Sequence, residues 1–214
     1  ASLLRDFRRT ASDLPGLFSG HFCVMFLPLA PLLGDEATLP GYYSDQTYFC
    51  RLRETYTDPL APYRCKKQLK AGRCVILELD GLGSFVFTNH YHSALFQNLQ
   101  RRFPGVTSYV FCSDGPGGYF KILKDGRIQR KVASYMFFEG MGSYAETRGA
   151  PCAYELETGH IFKVDPKARH LREMMPDFTK REVLDLFDYY VGLDRFQSEA
   201  LRRTLVYDLE SPNT

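Results

Sequence analysis

VTSYVFCSDGPGGYFKILKDGRIQRKVAS, residues Val106 to Ser134, is the stretch whose reading decides the fold. A β-branched and aromatic run, Val106 to Cys112, meets a Ser-Asp-Gly-Pro-Gly-Gly turn cluster. Then follow Tyr119 to Lys124, the dipeptide Asp125-Gly126, and Arg127 to Ser134. The pattern predicts a three-stranded antiparallel meander. Its second connection is the better specified, because Asp-Gly supplies the positive-φ positions that a two-residue hairpin turn demands. Strict alternation would set Phe120, Ile122, Ile128 and Val132 on one face and Lys121, Arg127, Gln129 and Lys131 on the other. The expectation is a sheet with a dry side and a basic, solvent-facing side.

Upstream, Arg73 to Asp80 alternates Val75, Leu77 and Leu79 against Ile76 and Glu78, and Asp80-Gly81 leads into a second strand, Ser84 to Thr88. Tyr91, Leu95 and Leu99 then recur at four-residue spacing, which predicts a helix from Asn89 to Arg102 ended by Pro104-Gly105. Further back, His21 to Leu27 is short, apolar and flanked by Gly and Pro, as a buried strand is. Pro28 to Pro62 is irregular, with Tyr48 to Leu52 as a short strand inside it. Ser2 to Thr10 predicts a short basic helix within an N-terminal extension spanning residues 1–20.

Downstream of the meander, Tyr135 to Glu139 extends the sheet and Gly140 to Pro151 is a loop. Ala168 to Met175 predicts a short helix. Thr179 and Glu182 match a capping box that starts a helix over Lys180 to Val191. A last helix is expected over Arg195 to about Tyr207, then a disordered tail at 211–214. The fold class is α+β: a mainly antiparallel sheet with helices packed on one face, in a single domain covering 1–214.

Of the 214 residues 44% are hydrophobic and 24% charged, a globular balance, and 27 Lys+Arg against 25 Asp+Glu leave a net charge of only +2. That balance disfavours a nucleic-acid partner, whose phosphates select a strongly basic surface. No apolar run approaches the length of about 20 residues that spans a bilayer, so no membrane partner is expected either. Cys23, Cys50, Cys65, Cys74, Cys112 and Cys152 are scattered without C-x-x-C pairs. They read as six reduced thiols in a cytoplasmic protein, with three disulfides in a secreted protein as the alternative.

His90 and His92 diverge at a helix start, which argues against joint metal ligation, and neither a metal nor a cofactor is expected. Cys112 ends a strand before a Gly-rich turn whose amides could stabilise an oxyanion. With His90 or His92 as its base, it is the alternative reading, a small cysteine-dependent hydrolase or transferase. Ser113-Asp114-Gly115 is also what any turn requires. The preferred site is non-catalytic: Lys121, Arg127 and Lys131 as a basic strip, with Tyr109 or Tyr119 as an aromatic anchor, docking a protein partner with an acidic surface.

A helix, a strand ending in Ser-Asp, a further strand and a Lys-Asp-Gly-Arg hairpin make up FQNLQRRFPGVTSYVFCSDGPGGYFKILKDGRIQRKVAS. Together they resemble the core of small bacterial immunity-type proteins that accompany polymorphic or contact-delivered toxins. The similar part runs from Phe85 to Ser134, and DFTKREVLDLFDYYVGLD is compatible with the C-terminal helices of such proteins. The Pro- and Tyr-rich region from Pro28 to Pro62 departs from them. The resemblance implies a cytosolic, non-enzymatic binder that neutralises a toxin by occluding it, and it transfers no site residue.

Overall fold

The computed structural model describes residues 21–29, 33–40, 47–64, 73–89, 94–114, 117–136, 143–169, 180–193 and 200–210. Ten strands form one sheet: β1 (His21–Leu27), β2 (Glu36–Pro40), β3 (Thr47–Tyr56), β4 (Arg73–Leu79), β5 (Gly83–Asn89), β6 (Thr107–Asp114), β7 (Gly117–Lys124), β8 (Arg127–Met136), β9 (Ser143–Arg148) and β10 (Leu201–Glu210). Their order is β2-β3-β10-β4-β5-β1-β6-β7-β8-β9. Every described pairing is antiparallel. Four helices among the described residues accompany them: α1 (Ala61–Arg64), α2 (Ala94–Gln100), α3 (Ala153–Thr158) and α4 (Lys180–Val191).

The meander forms as its sequence dictates. Asp125 and Gly126 sit at φ 52° and 69°, the double positive-φ pair of a type I′ hairpin. The Gln100 side chain at the end of α2 binds that turn, accepting from the Gly126 amide, while Asp125 Oδ1 accepts from the Gly105 amide at 2.8 Å. The hairpin and the helix that precedes it are therefore one locked unit.

Two buried clusters show that the sheet is covered on both faces, which corrects the expectation of helices on one face only. Val183, Leu184, Phe187 and Val191 of α4 pack with Val24, Val75, Phe87, Phe111 and Phe120. Leu95, Phe96 and Leu99 of α2 pack with Met25, Ile76, Val86, Val110 and Leu123. Both sides of the central strands are thus dry, which is why β1, β4 and β5 read as nearly unbroken apolar runs.

Further expectations change. The stretch expected as a helix over Arg195 to Tyr207 is in its described part a strand, β10, inserted between β3 and β4. Leu201, Leu205 and Leu209 mimic a helical stripe, but Leu205, Val206 and Tyr207 are buried consecutively between two strands, where β-branched and aromatic residues pack well. The loop expected at Gly140 to Pro151 contains edge strand β9. Where β7 pairs with β8 the register shifts between Ile122 and Leu123, with Arg130 opposite Ile122 and Ile128 opposite Leu123, so Gln129 of β8 is an extra, bulged residue. Ile128 consequently packs on the α2 side, not with Phe120, Ile122 and Val132. The helix expected to start at Asn89 is described from Ala94, and Ala168 and Arg169 are not helical. The N-terminal extension, the tail at 211–214, Thr179 and most of the Ala168 to Met175 stretch lie outside the described residues.

Beside the bulge, Arg130 and Glu155 form a buried ion pair, 4% and 0% exposed. Arg130 Nε and Nη2 donate to the two carboxylate oxygens at 2.8 and 2.5 Å, and its remaining donors reach the Gly149 and Phe162 carbonyls. Glu155 also accepts the Cys152 amide at the start of α3 and the Phe162 amide. This network pins the segment carrying β9 and α3 against β8, and thereby positions β9 beside the basic residues of β7 and β8.

A candidate anion-binding row on strands β7, β8 and β9

Lys121 of β7 lies opposite Lys131 of β8, which lies opposite Arg148 of β9. Three cations thus form one row across the last three strands, on the α2 side of the sheet. The adjacent row in the same direction runs Cys23, Cys112, Tyr119, Ala133 and Glu146. Lys131 Nζ pairs with Glu146 Oε2, and Tyr119 forms the floor: the Lys121 and Lys131 ammonium groups lie 4.4 and 5.9 Å from its ring centroid. A cation over an aromatic face is attracted by the ring quadrupole, so Tyr119 gathers two like charges that would otherwise separate. Its hydroxyl in turn lies 3.7 Å from Cys23 Sγ.

Like charges directly opposite one another are held at an electrostatic cost. Lys121 shows the consequence. Burial pushes its pKa down, the Lys131 cation pushes it further, and Glu146 only partly compensates, leaving a value of about 8. Among the described residues Lys121 has no carboxylate within ion-pair distance, whereas Arg148 is exposed at the sheet edge. Among the described residues the row sets three cations against the Glu146 carboxylate, a local positive excess in a protein close to neutral overall.

The structure therefore brings together three of the five residues expected as a binding strip: Lys121, Lys131 and Tyr119. It separates the other two. Arg127 is exposed beside the hairpin turn opposite Lys124, and the bulge at Gln129 places it on the other face from Lys131. Tyr109 lies on the α4 face, away from the row, partly buried against the core with its ring stacked on Tyr190 at 4.8 Å. Glu146 and Arg148 were missed because SYAETR is short and polar. Its alternation of Ala145 inward with exposed Arg148 beyond was the available signal.

The cysteine reading is corrected. Cys23 and Cys112, register partners on β1 and β6, form a disulfide and are both fully buried. The Cys112 sulfur is thus no nucleophile in this state, and its expected bases His90 and His92 lie outside the described residues. Cys50, Cys74 and Cys152 are free and buried, and burial raises the pKa of each, to about 11 for Cys50. Of the Gly-rich turn after Cys112, residues 115 and 116 lie outside the described residues, and Gly117 and Gly118 belong to β7.

A cavity of about 250 Å³ opens elsewhere, between β3, β4 and β10, lined by Asp35, Thr55, Glu78, Arg203 and Tyr207. Within it Arg203 forks onto both Glu78 oxygens, and the Tyr207 hydroxyl donates to the Gly34 carbonyl. Among the described residues no group of His, Cys, Asp and Glu could hold a metal ion, and no helix is long and apolar enough to cross a membrane. No protein-family model, no curated protein and no solved structure matches this chain.

Proposed function

We propose that the protein is a non-enzymatic binding protein that docks an acidic protein partner on the row formed by Lys121, Lys131 and Arg148 and acts by occluding it. The observation that carries the reading is the juxtaposition, among the described residues, of three cations on neighbouring strands with the Glu146 carboxylate, over an aromatic floor. Such a patch on a nearly neutral protein steers an oppositely charged surface and fixes its orientation. Neutralisation of a toxin, as the resemblance of Phe85 to Ser134 to immunity-type proteins implies, is the specific form of this proposal. A cytoplasmic setting belongs to it as well. The Cys23–Cys112 bond pulls toward an oxidising compartment, and its complete burial, which denies access to an attacking thiolate, is what would let it persist among cellular thiols.

The test uses a short polyglutamate peptide as probe, titrated by calorimetry at low and moderate salt. Replacing Lys131 by Gln and Arg148 by Glu together should weaken binding by roughly tenfold at low salt, with a smaller difference as salt screens the charges. Arg127→Glu should leave it unchanged. Equal binding by all three proteins, or none by the unmodified one, refutes the reading.

A further inference from the structure

Lys121 and Lys131 are both partly buried, and of the two Lys131 has the carboxylate contact. Arg148, exposed at the edge, and Lys131, already anchored by Glu146, are both placed to meet an anion. Lys121 lies inward of them, over the Tyr119 ring, with a second ammonium opposite and, among the described residues, no carboxylate in contact. Desolvation together with a neighbouring cation is the arrangement that turns a lysine from a point charge into a nucleophile, since both disfavour the ammonium form.

We propose that Lys121 is a reactive amine that captures small carbonyl compounds bearing an anionic group, a carboxylate or a phosphate, the anion resting on Lys131 and Arg148 while the carbonyl carbon meets Lys121 Nζ. The lone pair of the neutral Lys121 nitrogen forms the C–N bond as the carbonyl π pair moves to oxygen; the oxygen takes a proton from solvent and the nitrogen gives one up to solvent. The resulting carbinolamine takes a second proton on its hydroxyl and loses it as water while the nitrogen forms the C=N bond and releases its remaining proton, leaving an imine with no oxidant, reductant or metal required. Burial and the Lys131 cation, opposed in part by Glu146 and reinforced by Arg148, lower the Lys121 pKa from 10.5 to about 8. At neutral pH that leaves on the order of a hundredfold more free amine than an ordinary lysine has. The inference rests on the same anion-binding row as the docking proposal, and it names a smaller ligand and a chemical step.

The experiment treats the whole protein at pH 7 with glyoxylate, with pyridoxal 5′-phosphate or with uncharged pyridoxal, reduces any imine with cyanoborohydride, and maps the modified lysines by peptide mass spectrometry. Lys121 should be labelled at least tenfold faster than the exposed Lys124, Lys163 and Lys167. Labelling should favour the two anionic aldehydes over pyridoxal. Glyoxylate ahead of pyridoxal phosphate would mark a carboxylate site, and the reverse order a phosphate site. Lys131→Gln should slow labelling by the anionic aldehydes several-fold, because it removes both the anion contact and the cation that depresses Lys121. Labelling that follows exposure alone, or that is indifferent to the anion, overturns the proposal. Lys121→Arg, which keeps the charge and removes the amine, should abolish labelling at position 121 and leave that of Lys124, Lys163 and Lys167 as it was. Polyglutamate binding by the unmodified protein is measured separately and tests the docking reading. A protein that captures aldehydes at Lys121 but ignores polyglutamate would leave the chemistry standing and the docking reading refuted.

Discussion

Replacing Glu155 by Ala tests the central structural argument, that a saturated buried ion pair holds β9 in place. In the native protein the carboxylate takes four hydrogen bonds, two from Arg130 and one each from the Cys152 and Phe162 amides, while it is wholly buried and Arg130 is 4% exposed. Removing it leaves a buried guanidinium with only the Gly149 and Phe162 carbonyls and strips two amides of their acceptor. Breaking one side of such a pair costs about 3–5 kcal/mol, much of it the uncompensated charge left behind. For a chain of this length that is a fall in Tm of about 6–20 °C. The assay is urea and thermal unfolding of the single variants Glu155→Ala and Arg130→Met and of the double variant. The double variant should be less destabilised than the sum of the singles, because removing both partners leaves no orphaned charge.

The same network sets a pH dependence. Burial raises the Glu155 pKa, but Arg130 and the two amides outweigh it, so the folded value lies below the ordinary 4.5. A carboxyl held low in the folded state contributes stability that is fully present above the ordinary value and is lost as pH falls through the folded one. The stability gap between the native protein and Glu155→Ala should therefore be constant near neutral pH and close in acid. A loss under about 1 kcal/mol, or a gap that widens in acid, would refute the assignment of this network as the clamp.

Alkylation after denaturation without reductant should label Cys50, Cys74 and Cys152 and recover the Cys23 and Cys112 peptides still linked; labelling of all six cysteines would reject the disulfide. Because that bond closes a sequence separation of 89 residues, Cys112→Ala should cost about 2–4 kcal/mol in denaturant unfolding. Gly149→Ala should destabilise by more than about 1 kcal/mol, since its φ is +81° and a Cβ there would strike the carbonyl of the bulged Gln129. A neutral outcome for Gly149→Ala would mean that the bulge and the β9 approach are not coupled.

Much of the fold was legible locally. The Asp125-Gly126 turn, the strands on either side of it, β1, β4, β5 and the helix at Lys180–Val191 all follow from turn chemistry and hydrophobic period, which neighbouring residues carry by themselves. Of the candidate site, Lys121, Lys131 and Tyr119 were visible as residues of one strand face, because alternation within an uninterrupted stretch is a local property.

What only the tertiary structure decided are the properties set by partners distant in sequence. The segment at 201–210 is a strand because β3 and β4 leave a slot with free backbone donors and acceptors on both sides, and that demand overrides a leucine spacing equally suited to a helix. One bulged residue, Gln129, turned Arg127 and Ile128 to the faces opposite those that alternation assigns, since a shift of one position in a period of two inverts every side chain beyond it. The pairing of Cys23 with Cys112, and the meeting of Lys121 with Arg148 on a third strand, depend on register between segments that share no local signal. The amino-acid sequence by itself thus determined which stretches extend and turn, while the order and register of the strands, which hydrogen bonding and burial settle only when the sheet closes as a whole, decided which charges and sulfurs became neighbours.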